Sequence, residues 1–143
     1  MQSDTGNNYI LVAYHYNANN IIPIPLKNRT EPFILNDITN IHDKLRKQGL
    51  TPKTHITDND VSEDLKQFFE DSDIRFQLVP PHIHMINSSE RAVRAFKNHL
   101  ISVSCTVHPL LTFYLWYHLL PQVTMTINIL RKSQLNPELS VYE

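Results

Sequence analysis

Tyr9 to Tyr16 (YILVAYHY) is rich in aromatic and β-branched side chains, which suit a pleated, half-buried strand. Asn17 to Asn20 (NANN) reads as the turn that follows, and Ile21 to Lys27 (IIPIPLK) as the returning strand of a hairpin. Pro23 and Pro25 stand two apart, so their missing N–H groups fall on the same side of that strand. That side cannot take another partner. The expectation is an edge strand.

Periodicity then changes from two to about 3.6. Thr30 precedes Glu31-Pro32, a cap followed by a proline that suits a first helical turn, and Ile34, Ile38, Ile41 and Leu45 fall on one face before Gly49 ends the run. Thr51 to Asp58 (TPKTHITD) reads as a short strand that ends in an acid, and Val61 to Asp71 as a helix with Leu65, Phe68 and Phe69 inward. Ile74, Phe76 and Leu78 alternate with Arg75, Gln77 and Val79 to give a further strand, closed by Pro80-Pro81. Asn87 is placed to cap a helix whose buried side carries Val93, Phe96 and Leu100. The order strand, strand, helix, strand, helix, strand, helix, helix predicts a mixed α/β layer.

The chain has 143 residues, enough for one ordinary domain. Two glycines against nine prolines exclude a flexible linker and a glycine-rich nucleotide loop. A net charge of −1 supplies no global field toward nucleic acid or anionic membrane. The charge is uneven, with eight basic and eleven acidic residues in 1–80 against five and three in 81–143. Cys105 is the only cysteine, so no internal disulfide or thiolate cluster can form, and a reducing compartment is the simplest reading. Met1 to Asn8 lacks a secretion-signal pattern, so the sequons at Asn28 and Asn87 are expected to stay unmodified. Leu110 to Leu130 carries no charge and is long enough to span a bilayer, yet His118, Pro121, Gln122 and Asn128 interrupt it. The expectation is therefore no membrane span but a largely buried helix, kinked at Pro121.

Two carboxylates are placed for chemistry. Asp58 lies where a strand gives way to a loop, and Glu90 opens a helix whose same face continues with Arg94 and Lys97. If the two converge on one cleft they can hold Mg²⁺, which takes one or two carboxylates and leaves the rest of its shell to water and phosphate oxygens. The cations one and two turns on would meet a phosphate backbone. Both acids also admit plain structural readings. Asn87 and Glu90 form a capping box, and Asp58-Asn59-Asp60 a good turn and helix start. A calcium loop starting at Asp58 fails, because Glu63 and Phe69 occupy the positions that need glycine and glutamate. His82 and His84 form a tight pair after the prolines, but two ligands make no structural zinc site, and a loop contact or a plain surface pair is the expected role.

The segments TPKTHITDND, DIRFQLVPPHIHMINSSERAVRAFKNHLI and LWYHLLPQVTMTINILRKSQLNPELSVY, with the hairpin before them, closely resemble the integrase core of copia-type LTR retrotransposons. The most specific pieces are the strand-terminal Asp58, the run Phe76 to His82 and the helix start Asn87 to Arg91. The resemblance implies a ribonuclease H-like mixed sheet with flanking helices over 1–104 and a C-terminal helical extension over 105–143. It implies an acidic triad that binds two Mg²⁺ or Mn²⁺ ions for phosphodiester attack, with Asp58 matching the second acid and Glu90 the third. The first acid belongs on a central strand a dozen or so residues before Tyr9, expected to be missing here. By resemblance, Arg91, Arg94, Lys97 and His82 contact nucleic acid, and the partners are retroelement and target DNA, with a homo-oligomer as a further option. The site of action is intracellular, nuclear in a eukaryote. The expected function is that of an integrase-core fragment, inactive alone; the alternative is a non-catalytic α/β module that binds nucleic acid or self-associates.

Overall fold

The computed structural model describes residues 3–57, 61–78, 86–107 and 113–141. Strands β1 (Tyr9–His15) and β2 (Asn20–Leu26) form an antiparallel hairpin, with Val12 opposite Pro23 and Ile10 opposite Pro25. Asn19 closes the turn with φ of 57°, a left-handed conformation that Asn tolerates better than most residues, and its N–H donates to Tyr16 O at 3.0 Å. Helix α1 (Glu31–Lys47) follows, with Thr30 at its N-cap and Gly49 beyond its end at φ of 77°. Its Ile38, Ile41 and Leu45 are buried together with His42, so the expected stripe is there, with an imidazole added to it.

Strand β3 (Thr54–Thr57), helix α2 (Glu63–Asp71) and strand β4 (Arg75–Leu78) form a βαβ unit, the strands parallel and His55 opposite Phe76. Ser62 caps α2 by accepting from Leu65 N–H at 3.2 Å. Leu65 and Phe69 are buried and Phe68 is half-buried. Among the described residues β1 pairs only with β2, and β3 only with β4.

Two units each have a core of their own: Met1–Asn28 with Asn87–Glu143, and Arg29–Ile86. In the first unit, helix α3 (Ile86–Thr106), a 3₁₀ segment (Phe113–Leu119) and helix α4 (Leu120–Ile129) follow the hairpin. Ile21, Ala92, Phe96, Leu120, Val123 and Ile127 form that unit's buried cluster. The C-terminal segment thus shares a core with the hairpin, and residue 104 lies in the last turn of α3. The coarse prediction of a mixed α/β protein holds.

Three local expectations are corrected. Val93 is 44% exposed and Ala92 takes the inward position at 2%, because the buried stripe runs through Ala92, Phe96, Leu100 and Val103. Helix α3 begins at Ile86, which puts Asn87 inside its first turn rather than at the cap. The stretch Leu110–Leu130 is not one kinked helix. Pro121 sits in the first turn of α4, where its missing N–H has no intrahelical partner to lose, and the chain before it takes the tighter 3₁₀ form. No helix among the described residues is long and apolar enough to cross a membrane.

Candidate functional site

Helix α3 carries the candidate residues that the structure describes. Glu90, Arg94 and Lys97 recur at i, i+4 and i+7 and are all exposed, with Val93 and Ile101 between and beyond them and Arg91 on the same outer half. The inner half is fixed by Ala92 and Phe96 in the core, and that fixes which way the outer half faces. Arg91 and Lys97 are six residues apart, about 9 Å along the helix axis. The carboxylate therefore stands at the N-terminal end of a stripe that becomes cationic one turn on.

Asp58 and His82, with their neighbours Asp60 and His84, lie outside the described residues. What the structure describes is the approach to Asp58. β3 ends at Thr57, opposite Leu78 in the parallel pair, so Asp58 directly follows the C-terminal end of a parallel strand. Parallel α/β sheets present functional groups at that end. Among the described residues no group of three or more His, Cys, Asp or Glu is placed to hold a metal ion. Glu90 itself is a hard, exposed oxygen donor, a type of ligand that suits Mg²⁺ or Mn²⁺ when further oxygens are supplied.

Two polar constellations escaped the sequence reading because their partners are distant in the chain. Asn128, buried on α4, accepts from Ile21 N–H at 3.1 Å and donates to Ile21 C=O at 2.9 Å. It does for the outer side of β2 what a neighbouring strand would do. Pro23 and Pro25 share that side by alternation and offer no N–H to it, so the edge is closed by one amide and two prolines. Beside it, Arg131 Nε donates to Asn19 C=O at 2.9 Å, its guanidinium also bonds Asn19 Oδ1, and it lies 5.7 Å from the Tyr14 ring centre. Asn19 completes the clasp by donating to Lys132 C=O at 2.9 Å.

The second constellation is the pair His42 and His55. His42 Nε2 lies 3.3 Å from His55 Nδ1, and the two rings share a box with Phe68, Phe69 and Phe76. Burial, and after it the neighbouring His42 ring, pushes the His55 pKa down to about 4. The only sequence signal was His42 at i+4 from Ile38 on the apolar stripe of α1.

In comparisons with known proteins, no family model and no curated protein matches the chain.

Proposed function

We propose that the chain descends from the integrase core of copia-type retroelements and retains its nucleic-acid face on α3. In this reading its fold is of the ribonuclease H-like kind. The observation that carries it is the strand pairing: an antiparallel hairpin, then a parallel βαβ pair, then a helix exposing an acid and two cations in line. In the ribonuclease H-like sheet the strand with the first acid lies between the hairpin and the parallel pair. β1 and β3 each have one partner among the described residues, which is compatible with that arrangement.

Asp58 and Glu90 would be ion ligands, and Mg²⁺ or Mn²⁺ would supply the polarised water or 3′-hydroxyl and neutralise developing phosphate charge. Arg94, Lys97, Arg91 and His82 would hold the DNA backbone in place. A protein of this kind works on DNA inside the cell, in the nucleus of a eukaryote. The second reading is a non-catalytic module that binds nucleic acid or self-associates. It is favoured by the fact that the cationic stripe is complete on α3 and needs no metal.

A salt titration of binding to duplex DNA tests both DNA readings. The plot of log affinity against log salt should fall with a slope of about −2.7, the value for about three phosphate contacts. Arg94→Ala and Lys97→Ala should each reduce that slope by about one and weaken binding alike across sequences. Absence of binding at low salt leaves self-association alone. In a strand-transfer assay on a donor DNA end with Mg²⁺ or Mn²⁺, the 143 residues should give no product, since they match two of the three acids. Product formation abolished by Asp58→Asn would show that the site is complete without a further acid.

A further inference from the structure

The bonds between Ile21 and Asn128 fix which way every backbone group of the hairpin points. Ile21 turns its N–H and C=O toward α4, so by alternation Pro23 and Pro25 also turn away from β1, while Ile22, Ile24 and Leu26 turn toward it. Tyr14, Val12 and Ile10 stand directly opposite Ile21, Pro23 and Pro25. They form the non-hydrogen-bonded pairs of the ladder, and their own N–H and C=O groups point away from β2, along the other edge of the sheet. Among the described residues no strand pairs with that edge and no hydrogen bond reaches those backbone groups. The side chains of Ile10, Val12 and Tyr14 pack against the buried cluster of the same unit, so the edge is held extended.

The two edges of the hairpin are built differently. The β2 edge is closed by two prolines and the Asn128 amide. β1 reads YILVAYH and has none of the devices that keep open edges apart, neither a proline nor any Lys, Arg, Asp or Glu. Antiparallel pairing with β1 of a second copy, about a two-fold axis beside Val12, brings each outward donor to an acceptor. Val12 then faces Val12 of the second copy, Ile10 faces Tyr14, and Leu11 faces Ala13. Pairs of β-branched and aromatic side chains are of the kind that stabilise a sheet, and no like charges are opposed. Ile10, Val12 and Tyr14 are half-buried in the single chain and would lose further exposed surface. Sliding the copies by two residues strands the end groups, so this register is the one that uses the whole edge. The outer edges of the resulting sheet are the two β2 edges, both closed, and assembly stops at two copies.

We propose that β1 is the interface of a two-fold homodimer, formed by antiparallel pairing of β1 with β1 of a second copy through the outward backbone groups of Ile10, Val12 and Tyr14. This rests on the self-association reading and names its surface.

Sedimentation equilibrium of the full chain over a concentration series, joined to amide exchange read residue by residue by NMR, tests it. The average mass should rise with concentration toward that of two chains. The amides of Ile10, Val12 and Tyr14 should gain protection in step with the mass, by at least about tenfold from the dilute to the concentrated end. Those of Leu11 and Ala13, bonded to β2 in either state, should change little. Val12→Pro removes an N–H that serves no bond to β2, and should return the series to single-chain mass. A dimer in which Ile10, Val12 and Tyr14 stay unprotected overturns the proposal and moves self-association to another surface. A single-chain mass throughout overturns the proposal and the self-association reading together. Protection of these amides in a single-chain species would mean that the edge is covered within the chain, and a mass that climbs past two copies would mean that the assembly is open; either result overturns the closed pair. Should Val12→Pro fail to fold, the wild-type exchange pattern and its concentration dependence decide.

Discussion

Asn128 carries more of the fold than any charged side chain around it. Its amide meets both backbone groups of Ile21, a residue with no exposed surface, so Asn128→Ala would leave a buried donor and a buried acceptor with nothing to bond. Each such orphan costs about 1–3 kcal/mol, and the variant should lose about 3 kcal/mol in urea denaturation followed by Trp116 fluorescence. A loss below about 1 kcal/mol would mean that water or a shifted side chain replaces the amide. Asn128→Asp is the sharper variant, because it keeps an acceptor for Ile21 N–H and turns a second acceptor toward Ile21 C=O. None of this was legible in the sequence, where Asn128 reads as a polar interruption of an apolar run. Its partner lies 107 residues away, and no local spacing encodes such a pairing. The two prolines of β2 were legible for the opposite reason, since a missing N–H is a property of the residue itself.

At the scale of elements, the sequence pattern located every strand and α-helix that the structure describes, missed the 3₁₀ segment Phe113–Leu119, and erred where two rules competed. In α3 the residues Val93, Phe96 and Leu100 satisfy a helical apolar pattern, but so do Ala92, Phe96 and Val103. The second stripe is the one that joins the buried cluster with Val123 and Ile127, while Val93 stays 44% exposed. The same competition decided Pro121. A proline in mid-helix removes a hydrogen bond and clashes with the preceding turn, at a cost of about 3 kcal/mol, whereas in the first turn it costs almost nothing. The chain avoids the penalty by ending the 3₁₀ segment at Leu119 and starting α4 at Leu120. Pro121→Ala should therefore leave stability within about 1 kcal/mol of wild type, on the destabilised side, because the ring also restricts the unfolded chain. A gain of about 3 kcal/mol would instead indicate that Pro121 strains a continuous helix. The same urea titration distinguishes the two.

At the scale of the whole molecule, the division into two cores has a spectroscopic handle in the sequence. Residues 29–86 contain no tryptophan or tyrosine, while Trp116 packs against the buried cluster of the other unit. Trp116 fluorescence thus follows the unit of Ile21, Phe96 and Val123, and far-UV circular dichroism follows the helices of both. The candidate site was legible only in part at this scale: sequence spacing could put Glu90, Arg94 and Lys97 on one helix face. It could not bring Asp58 to them, because that depends on how separate elements pack. Acidification adds a second axis, since burial also holds His15, on β1, below the ordinary imidazole range. Both units should then weaken as pH falls below about 6.5, with the unit around His55 losing more, because its pKa is pushed as far as about 4. In urea titrations at pH 5, the circular-dichroism signal should accordingly begin to fall at lower denaturant than Trp116 fluorescence, and His55→Gln should bring the two curves together. Asn128→Ala should act on the fluorescence curve first, because it removes a bond from the core that Trp116 reports. Coincident curves for wild type and both variants at pH 5 would mean that the chain unfolds as one cooperative block and that its two cores have no separate stability.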